Sequence, residues 1–166
     1  YFSQAYILSA QGDNARATAV LDEMLQQNPK SVEAHLLRGQ YHQDDGEQLE
    51  QAIDFYTRAL KLEPGNLLGL EMRADALEEN LQIDEAMADC NEILRLNPAD
   101  KKVHVRRGRL YLADQEDEAA LADFNEAIKR GGPPQAYCHR GGIYFVVQKD
   151  YAKAAEDFTS AIKGGL

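Results

Sequence analysis

The segments AIDFYTRALKLEP (52–64), AMADCNEILRLNP (86–98) and ALADFNEAIKRGG (120–132) share one pattern. Each begins with alanine, places a large residue four positions later and a small or apolar residue three positions after that. The pattern occurs five times along the chain, and its alanines are separated by 35, 34, 34 and 34 residues: Ala17, Ala52, Ala86, Ala120 and Ala154. The chain is therefore predicted to be an array of five repeats.

A second motif precedes each alanine by 12 or 13 residues and consists of a small residue with a bulky one three positions later. The small residues are Ala5, Gly39, Ala74, Gly108 and Gly141. Offsets of three and four place residues on one face of an α-helix, so each repeat is predicted to be a helical hairpin. The second and fifth repeats carry one extra residue, which we expect in the internal turn. In the fifth repeat Gly142 is an alternative to Gly141.

Short polar or glycine-containing turns separate the two helices of each hairpin, and prolines mark the ends of the repeats. Pro29, Pro64 and Pro98 stop a helix because proline lacks an amide donor and clashes with the preceding turn. We expect a single domain over residues 1–166, with repeats of approximately 1–30, 31–66, 67–100, 101–132 and 133–166.

These spacings resemble those of the tetratricopeptide repeat family, whose period is 34 residues. The resemblance covers essentially the whole chain and includes an arginine before the small residue in four repeats: Arg38, Arg73, Arg107 and Arg140. It implies an all-α fold, a right-handed α-solenoid of about five hairpins, in which the first helix of each hairpin lines a concave groove. The motif residues are packing residues, so the resemblance specifies the fold more sharply than the function.

The residues that line such a groove lie three and two positions before the small residue, and one and four after it. The first two repeats present apolar and amide side chains at these positions, the third is acidic and the fourth is basic. The predicted partner-binding residues are Phe2, Tyr6, Leu36, Leu37, Gln40, Glu71, Met72, Asp75, Glu78, Lys102, Arg106, Arg109 and His139. In the alternative interpretation, the acidic residues of the third repeat simply pair with Arg106 and Arg109.

One family use of the groove is a clamp of lysine, asparagine and arginine residues that holds the C-terminal carboxylate of chaperones. In the frame that ends at the fourth repeat, only Lys102 and Arg106 match this set, whereas Leu36, Gln40 and Met72 stand at the other positions. Binding of chaperone tails is therefore not expected.

The charge balance favours a protein partner over nucleic acid. The formal net charge is −10, and residues 1–98 contribute −11 against +1 from residues 99–166. An acidic chain repels nucleic acid and anionic membranes, so we expect a basic or mixed-charge protein or peptide segment. No run approaches the roughly 18 apolar residues of a membrane-spanning helix. We therefore predict a soluble protein without membrane insertion and favour the cytoplasm.

The sequence contains no pattern of residues typical of catalysis or of cofactor or metal binding. His35, His42 and His104 occupy packing positions of their repeats, and Cys90 stands where sister repeats have Tyr56 and Phe124. His139 lies on the groove stripe without a second ligand at metal spacing. We predict no enzyme activity, no cofactor and no metal.

The favoured function is a scaffold that binds a protein segment in its groove. The alternative is self-assembly into homo-oligomers, because no polar capping helix follows the fifth hairpin and its face with Phe158 and Ile162 is expected to be open. A third reading is a regulatory region of an enzyme.

Overall fold

The computed structural model describes residues 2–44 and 48–165, apart from the side chains of Phe2, Tyr6, Ser9 and Asn14. All regular structure in this part of the chain is helical. Its elements are α1 (Phe2–Ala10), α2 (Asn14–Gln27), α3 (Val32–Asp44), α4 (Leu49–Leu62), α5 (Leu67–Glu79), α6 (Ile83–Leu96), α7 (Lys101–Ala113), α8 (Asp117–Lys129), α9 (Pro134–Ile143), a π-helical segment (Tyr144–Gln148) and α10 (Tyr151–Lys163).

The chain forms two compact units, Tyr1–Asp89 and Cys90–Leu166. In the first unit α1 packs on α2, α2 on α3, α3 on α4 and α4 on α5. In the second unit α7 packs on α8, α8 on α9 and α9 on α10. Within each unit these helices lie against their neighbours in sequence, as predicted for stacked hairpins.

The turns inside the hairpins use one residue in the left-handed conformation. Its φ is +80° at Gly12 but also about +60° at three residues that have side chains: Leu81 (59°), Gln115 (62°) and Lys149 (56°). In the first, third and fourth hairpins the next residue donates its amide to a carbonyl five residues back, at 2.8–2.9 Å. This bond closes the first helix and reverses the chain. The matching turn of the second hairpin falls on residues 45–47, outside the described residues.

The fifth hairpin places its extra residue in a helix and not in the turn. Here the amide of Asp150 closes the first helix by donating to the Tyr144 carbonyl at 2.9 Å. This hydrogen bond spans six residues, one more than in the first, third and fourth hairpins. The segment Tyr144–Gln148 adopts π-helical geometry, which takes up one residue more per turn than an α-helix. The expectation that the insertion lengthens the turn is therefore wrong for this hairpin.

Close approach between the helices of a hairpin depends on the small residue of the second sequence motif. A Cβ atom added at Gly39 would lie 2.5 Å from Tyr56 Cε1, and one added at Gly108 would lie 2.7 Å from Phe124 Cε1. In the fifth hairpin a Cβ at Gly141 would lie 3.0 Å from Phe158, whereas Gly142 has nothing within 4 Å. Gly141 is thus the packing residue, which decides between the two alternatives.

The buried core consists of alternating alanines and large residues, as the repeat pattern predicts. The first unit holds one cluster around Leu21 and Tyr41 and another around Tyr56 and Ala76. The second unit is centred on Phe124, which is fully buried. The Cys90 side chain is also fully buried, which confirms that it serves packing.

Paired arginine and aspartate side chains hold successive helices together. In three hairpins the arginine before the small residue binds the aspartate that precedes the large core residue of the same hairpin. Two N–H groups of the arginine donate to the carboxylate at 2.6–2.8 Å, and the pairs are Arg73–Asp89, Arg107–Asp123 and Arg140–Asp157. A third N–H of each arginine donates to a side chain of the preceding hairpin: Thr57, Asn91 and Asn125. These bidentate pairs orient the first helices relative to the second ones.

The second hairpin lacks this aspartate. Phe55 stands at its position, and the Arg38 guanidinium lies 5.5 Å from the centre of the Phe55 ring. Arg38 binds Asp22 of the preceding hairpin at 2.9 Å instead. The Nδ1 atom of the buried His35 side chain has no partner among the described residues, whereas Nδ1 of His104 lies 2.8 Å from Asp123.

Candidate binding surfaces on the first helices

The predicted binding residues of the first unit lie on α3 and α5, but they are not equally accessible. Gln40 is exposed, and Glu71, Met72, Asp75 and Glu78 are half-buried. Phe2 and Tyr6 were predicted to complete this surface, and their side chains fall outside the described residues.

Leu36 and Leu37 are buried, each with 6% of its surface exposed, so the expectation that they form open apolar pockets is wrong. Leu36 packs with Val32 and Tyr56, and Leu37 packs with the cluster around Leu21. The physical reason is that α3 is covered on two sides, by α2 and by α4. A helix that packs against two others buries a wide apolar band. This band includes positions that the stripe rule assigns to the open groove.

A hydroxyl, an amide and several carboxylates come together where α3 meets α5. Tyr56 donates its hydroxyl to Gln43 Oε1 at 2.9 Å, and Gln43 donates its amide to Glu79 Oε1 at 3.2 Å. Burial raises the pKa of Tyr56, and the carboxylates of Asp44, Asp75 and Glu79 raise that pKa further. We call this set Tyr56, Gln43, Asp44, Asp75 and Glu79 the acidic surface.

Four of the five members of the acidic surface were not among the predicted binding residues: Tyr56, Gln43, Asp44 and Glu79. Gln43 lies four positions after the packing glycine, within the stripe, but Asp44 and Glu79 lie five positions after their small residues. Because five residues on a helix turn through about 500°, roughly 140° past a full turn, these side chains lie between two positions of the stripe. A stripe rule that also takes the fifth position after the small residue includes Gln43, Asp44 and Glu79, whereas Tyr56 lies on α4.

The second unit presents cationic side chains on α7. Lys102 and Arg109 are exposed and Arg106 is half-buried. His139 of α9 stacks on the Phe124 ring, with 5.4 Å between ring centres and 20° between planes. Burial lowers the pKa of His139, and the positive charge of Arg109 lowers it further. Arg109 and His139 thus belong to one local electrostatic environment, as the stripe predicts.

The pKa of His139 gives a direct check of this environment. We expect a value below the ordinary value of about 6.5, because the charged imidazolium is disfavoured by burial and by Arg109. An NMR titration of the His139 ring protons measures it, and Arg109→Gln should raise it. As the pH falls, the His139 ring of the unfolded chain is protonated at a higher pH than that of the folded chain. His139 therefore contributes stability near pH 7 that is lost as the pH falls below about 6.5. An unshifted pKa in both proteins contradicts the placement of His139.

The described part of the chain holds no group of three or more histidine, cysteine, aspartate or glutamate side chains arranged for a metal ion. None of its helices is long and apolar enough to cross a membrane.

The hairpin geometry and the periodic packing residues agree with a known family model. The tetratricopeptide repeat model matches residues 2–66, 44–101, 71–136 and 105–165. The chain belongs to the tetratricopeptide repeat family. This membership confirms the fold class predicted from the sequence, an α-solenoid of tetratricopeptide hairpins. Proteins of this family are generally interaction scaffolds whose repeats bind proteins or peptides.

Individual tetratricopeptide proteins resemble the chain in fold or over part of its length. A structure of MamA from Desulfovibrio magneticus RS-1 superposes with a TM-score of 0.87 at 20% identity, covering 98% of this chain and 92% of that one. YrrB, described as a protein with an unusual peptide-binding site, superposes with a TM-score of 0.79 at 22% identity, covering 97% and 82%. At these identities the likeness concerns the fold alone.

Among curated proteins, the inactive TPR repeat-containing thioredoxin TTL3 of Arabidopsis thaliana is 36% identical over 68 residues. That match covers 41% of this chain and 10% of the relative. The chain thus matches about a tenth of the length of this relative.

Proposed function

We propose that this chain is a non-enzymatic interaction module that binds a protein segment along its first helices. The observation that carries the proposal is the acidic surface of the first unit, where Gln43 and Glu79 continue the hydrogen-bond chain that starts at Tyr56. Side chains that already hold one another in place lose little conformational freedom when a partner binds. Such a surface suits lysine and arginine side chains of a partner.

The distribution of charge supports a basic partner for the first unit. Residues 1–98 contribute −11 to the net charge, so the surface around Asp75 lies within a broadly negative field. A field of this kind speeds up the encounter with a cationic segment and orients it. Glu71 and Glu78, on the same helix as Asp75, extend the contact along α5.

The second unit supplies a contact of the opposite sign. Lys102, Arg106 and Arg109 follow one another at intervals of three and four residues and therefore share one face of α7. We propose that this face receives acidic side chains or a carboxylate of the partner, and that His139 contacts the partner as a neutral ring. A partner of mixed charge fits both units.

Substitution of Asp75 tests the contact in the first unit. The probe is a 12-residue peptide with lysine at every third or fourth position, and binding is measured by calorimetry. We expect Asp75→Lys to weaken binding about tenfold or more, because one attraction is lost and one repulsion is added, each on the order of 1 kcal/mol. A peptide with glutamate in place of lysine should not bind the acidic surface.

Glu23→Lys is the matched control, since it makes the same change of charge on α2, a second helix, at an exposed position. It should leave binding within about twofold of the unchanged protein, which is a few tenths of a kcal/mol. Equal weakening by both substitutions would show that the peptide responds only to net charge, and the proposed surface would then be wrong. Circular dichroism verifies that both variants keep their helices.

A further inference from the structure

A pocket of about 260 Å³ lies in the first unit, between the second helices α4 and α6, with α5 beneath it. Its volume is just below the range of roughly 300–1,000 Å³ that is typical of small-molecule sites, so it suits a single side chain. Its lining includes Ile53, Thr57, Arg73, Leu77, Ala88 and Asp89.

The pocket is distinct from the acidic surface. At 3.6 residues per turn, Arg73 and Leu77 lie on the opposite side of α5 from Asp75 and Glu78. The pocket is also mostly apolar at its walls, which are formed by Ile53, Leu77 and Ala88. It is therefore a second candidate site, independent of the proposed segment binding.

Arg73 brings a guanidinium group to the lining of this pocket. Three of the five N–H groups at the edge of that group are used in bonds to Asp89 at 2.6 and 2.8 Å and to Thr57 at 3.2 Å. A planar guanidinium that is held by hydrogen bonds at its edge still attracts an aromatic ring above its face. The chemistry of the pocket thus combines apolar walls with a stacking cation.

Two sister hairpins fill the corresponding place with a tyrosine of their own. The Arg107 guanidinium lies 5.9 Å from the centre of the Tyr111 ring, and that of Arg140 lies 5.7 Å from the centre of the Tyr144 ring. Leu77 is the structural counterpart of these tyrosines. In all three hairpins the carbonyl of this residue accepts the backbone hydrogen bond that closes the first helix. In the second hairpin Phe55 covers Arg38.

The third hairpin is the exception in this series. Among the described residues, no aromatic ring stacks on Arg73, and Leu77, which lines the pocket, has 3% of its surface exposed. Leucine has no ring that reaches over the arginine, so the place of the ring is left as the pocket.

We propose that this pocket takes the side chain of a tyrosine from a partner protein segment. The ring would stack on Arg73 between Ile53 and Ala88, as Tyr111 and Tyr144 do on their own arginines. The hydroxyl group of the guest tyrosine has acceptors in reach at the rim, where Gln82 and Glu85 also line the pocket. A tyrosine is thus a better match than an aliphatic side chain.

The test uses N-acetyl-tyrosinamide as the probe and N-acetyl-leucinamide as its control, with binding followed by NMR. We expect the tyrosine probe to shift the methyl resonances of Ile53, Thr57 and Ala88 with a dissociation constant on the order of a millimolar. The leucine probe should bind at least threefold more weakly, because it cannot stack on the cation. Equal binding of the two probes overturns the proposal.

Three variants examine the same pocket. Leu77→Tyr supplies the ring from within, and Ala88→Leu narrows the pocket from its exposed rim without a change in the core; each should weaken the probe at least tenfold. Tyr111→Leu should open a corresponding place beside Arg107, so that the probe also shifts resonances of Asn91 and Ala122. If Ala88→Leu binds the probe unchanged, or if Tyr111→Leu gains no second set of shifts, the assignment of the pocket is wrong.

Discussion

Asp123→Ala should lower the free energy of unfolding by about 3 kcal/mol. The Asp123 carboxylate is 5% exposed and accepts two N–H groups of Arg107, and it lies 2.8 Å from Nδ1 of His104. The hydrogen bonds that Arg107 donates to Asp123 also raise the pKa of Arg107. Its removal leaves a cation in a largely buried site without its counter-charge, which costs more than the loss of a neutral hydrogen bond. Urea denaturation followed by circular dichroism measures the change.

Asp22→Ala is the control for this substitution within the same chain. Asp22 also binds an arginine that precedes a packing glycine, Arg38, at 2.9 Å, but the Asp22 side chain is 49% exposed. An exposed pair contributes about 0–1 kcal/mol, so the loss should be small. If the two substitutions lowered stability equally, burial would not be the factor that makes the Asp123 network important.

Gly39→Ala should destabilise the first unit by about 1–3 kcal/mol, the usual cost of overpacking a core. The added Cβ would lie 2.5 and 2.7 Å from two ring carbons of the fully buried Tyr56 side chain. The ring cannot move away freely, because its hydroxyl is bonded to Gln43. Helix propensity alone predicts the opposite sign, since alanine is the better helix former.

Gly142→Ala is the control for Gly39→Ala, because it changes helix propensity without a packing clash. Gly142 lies inside α9, and a Cβ at this position has nothing within 4 Å. Here the change should stabilise the second unit by about 0.5–1 kcal/mol. A loss of stability in Gly142→Ala, or a gain in Gly39→Ala, would contradict the assignment of the packing glycines.

The repeat period predicted the helices, their ends and most core positions, because these depend on local spacing and on residues such as Pro29 and Pro98. It also predicted that His35 and His104 are buried. These features depend only on the position of each residue within its own helix. The binding stripe was predicted less well, since the exposure of Leu36 and Leu37 depends on how two neighbouring helices cover α3.

Two other features had no signal that a single-repeat pattern could reveal. The third hairpin has Leu77 where two sister hairpins have Tyr111 and Tyr144. The sequence shows this difference, but only the structure shows that the two tyrosine rings lie over arginines. The position of the extra residue in the fifth hairpin depends on whether a helix or a turn accommodates it at lower cost. Sequence spacing counts the residue but does not place it.

The π-helical segment Tyr144–Gln148 shows how this kind of repeat tolerates a change in length. The inserted residue is absorbed within one widened turn, so Gly141 before it still meets Phe158, and Arg140 still binds Asp157 at 2.7 and 2.8 Å. The packing on either side keeps its phase although the count along the chain has changed. Designers who lengthen a repeat of this type can therefore insert a residue just before the internal turn, and evolution can use the same position without rebuilding the next hairpin.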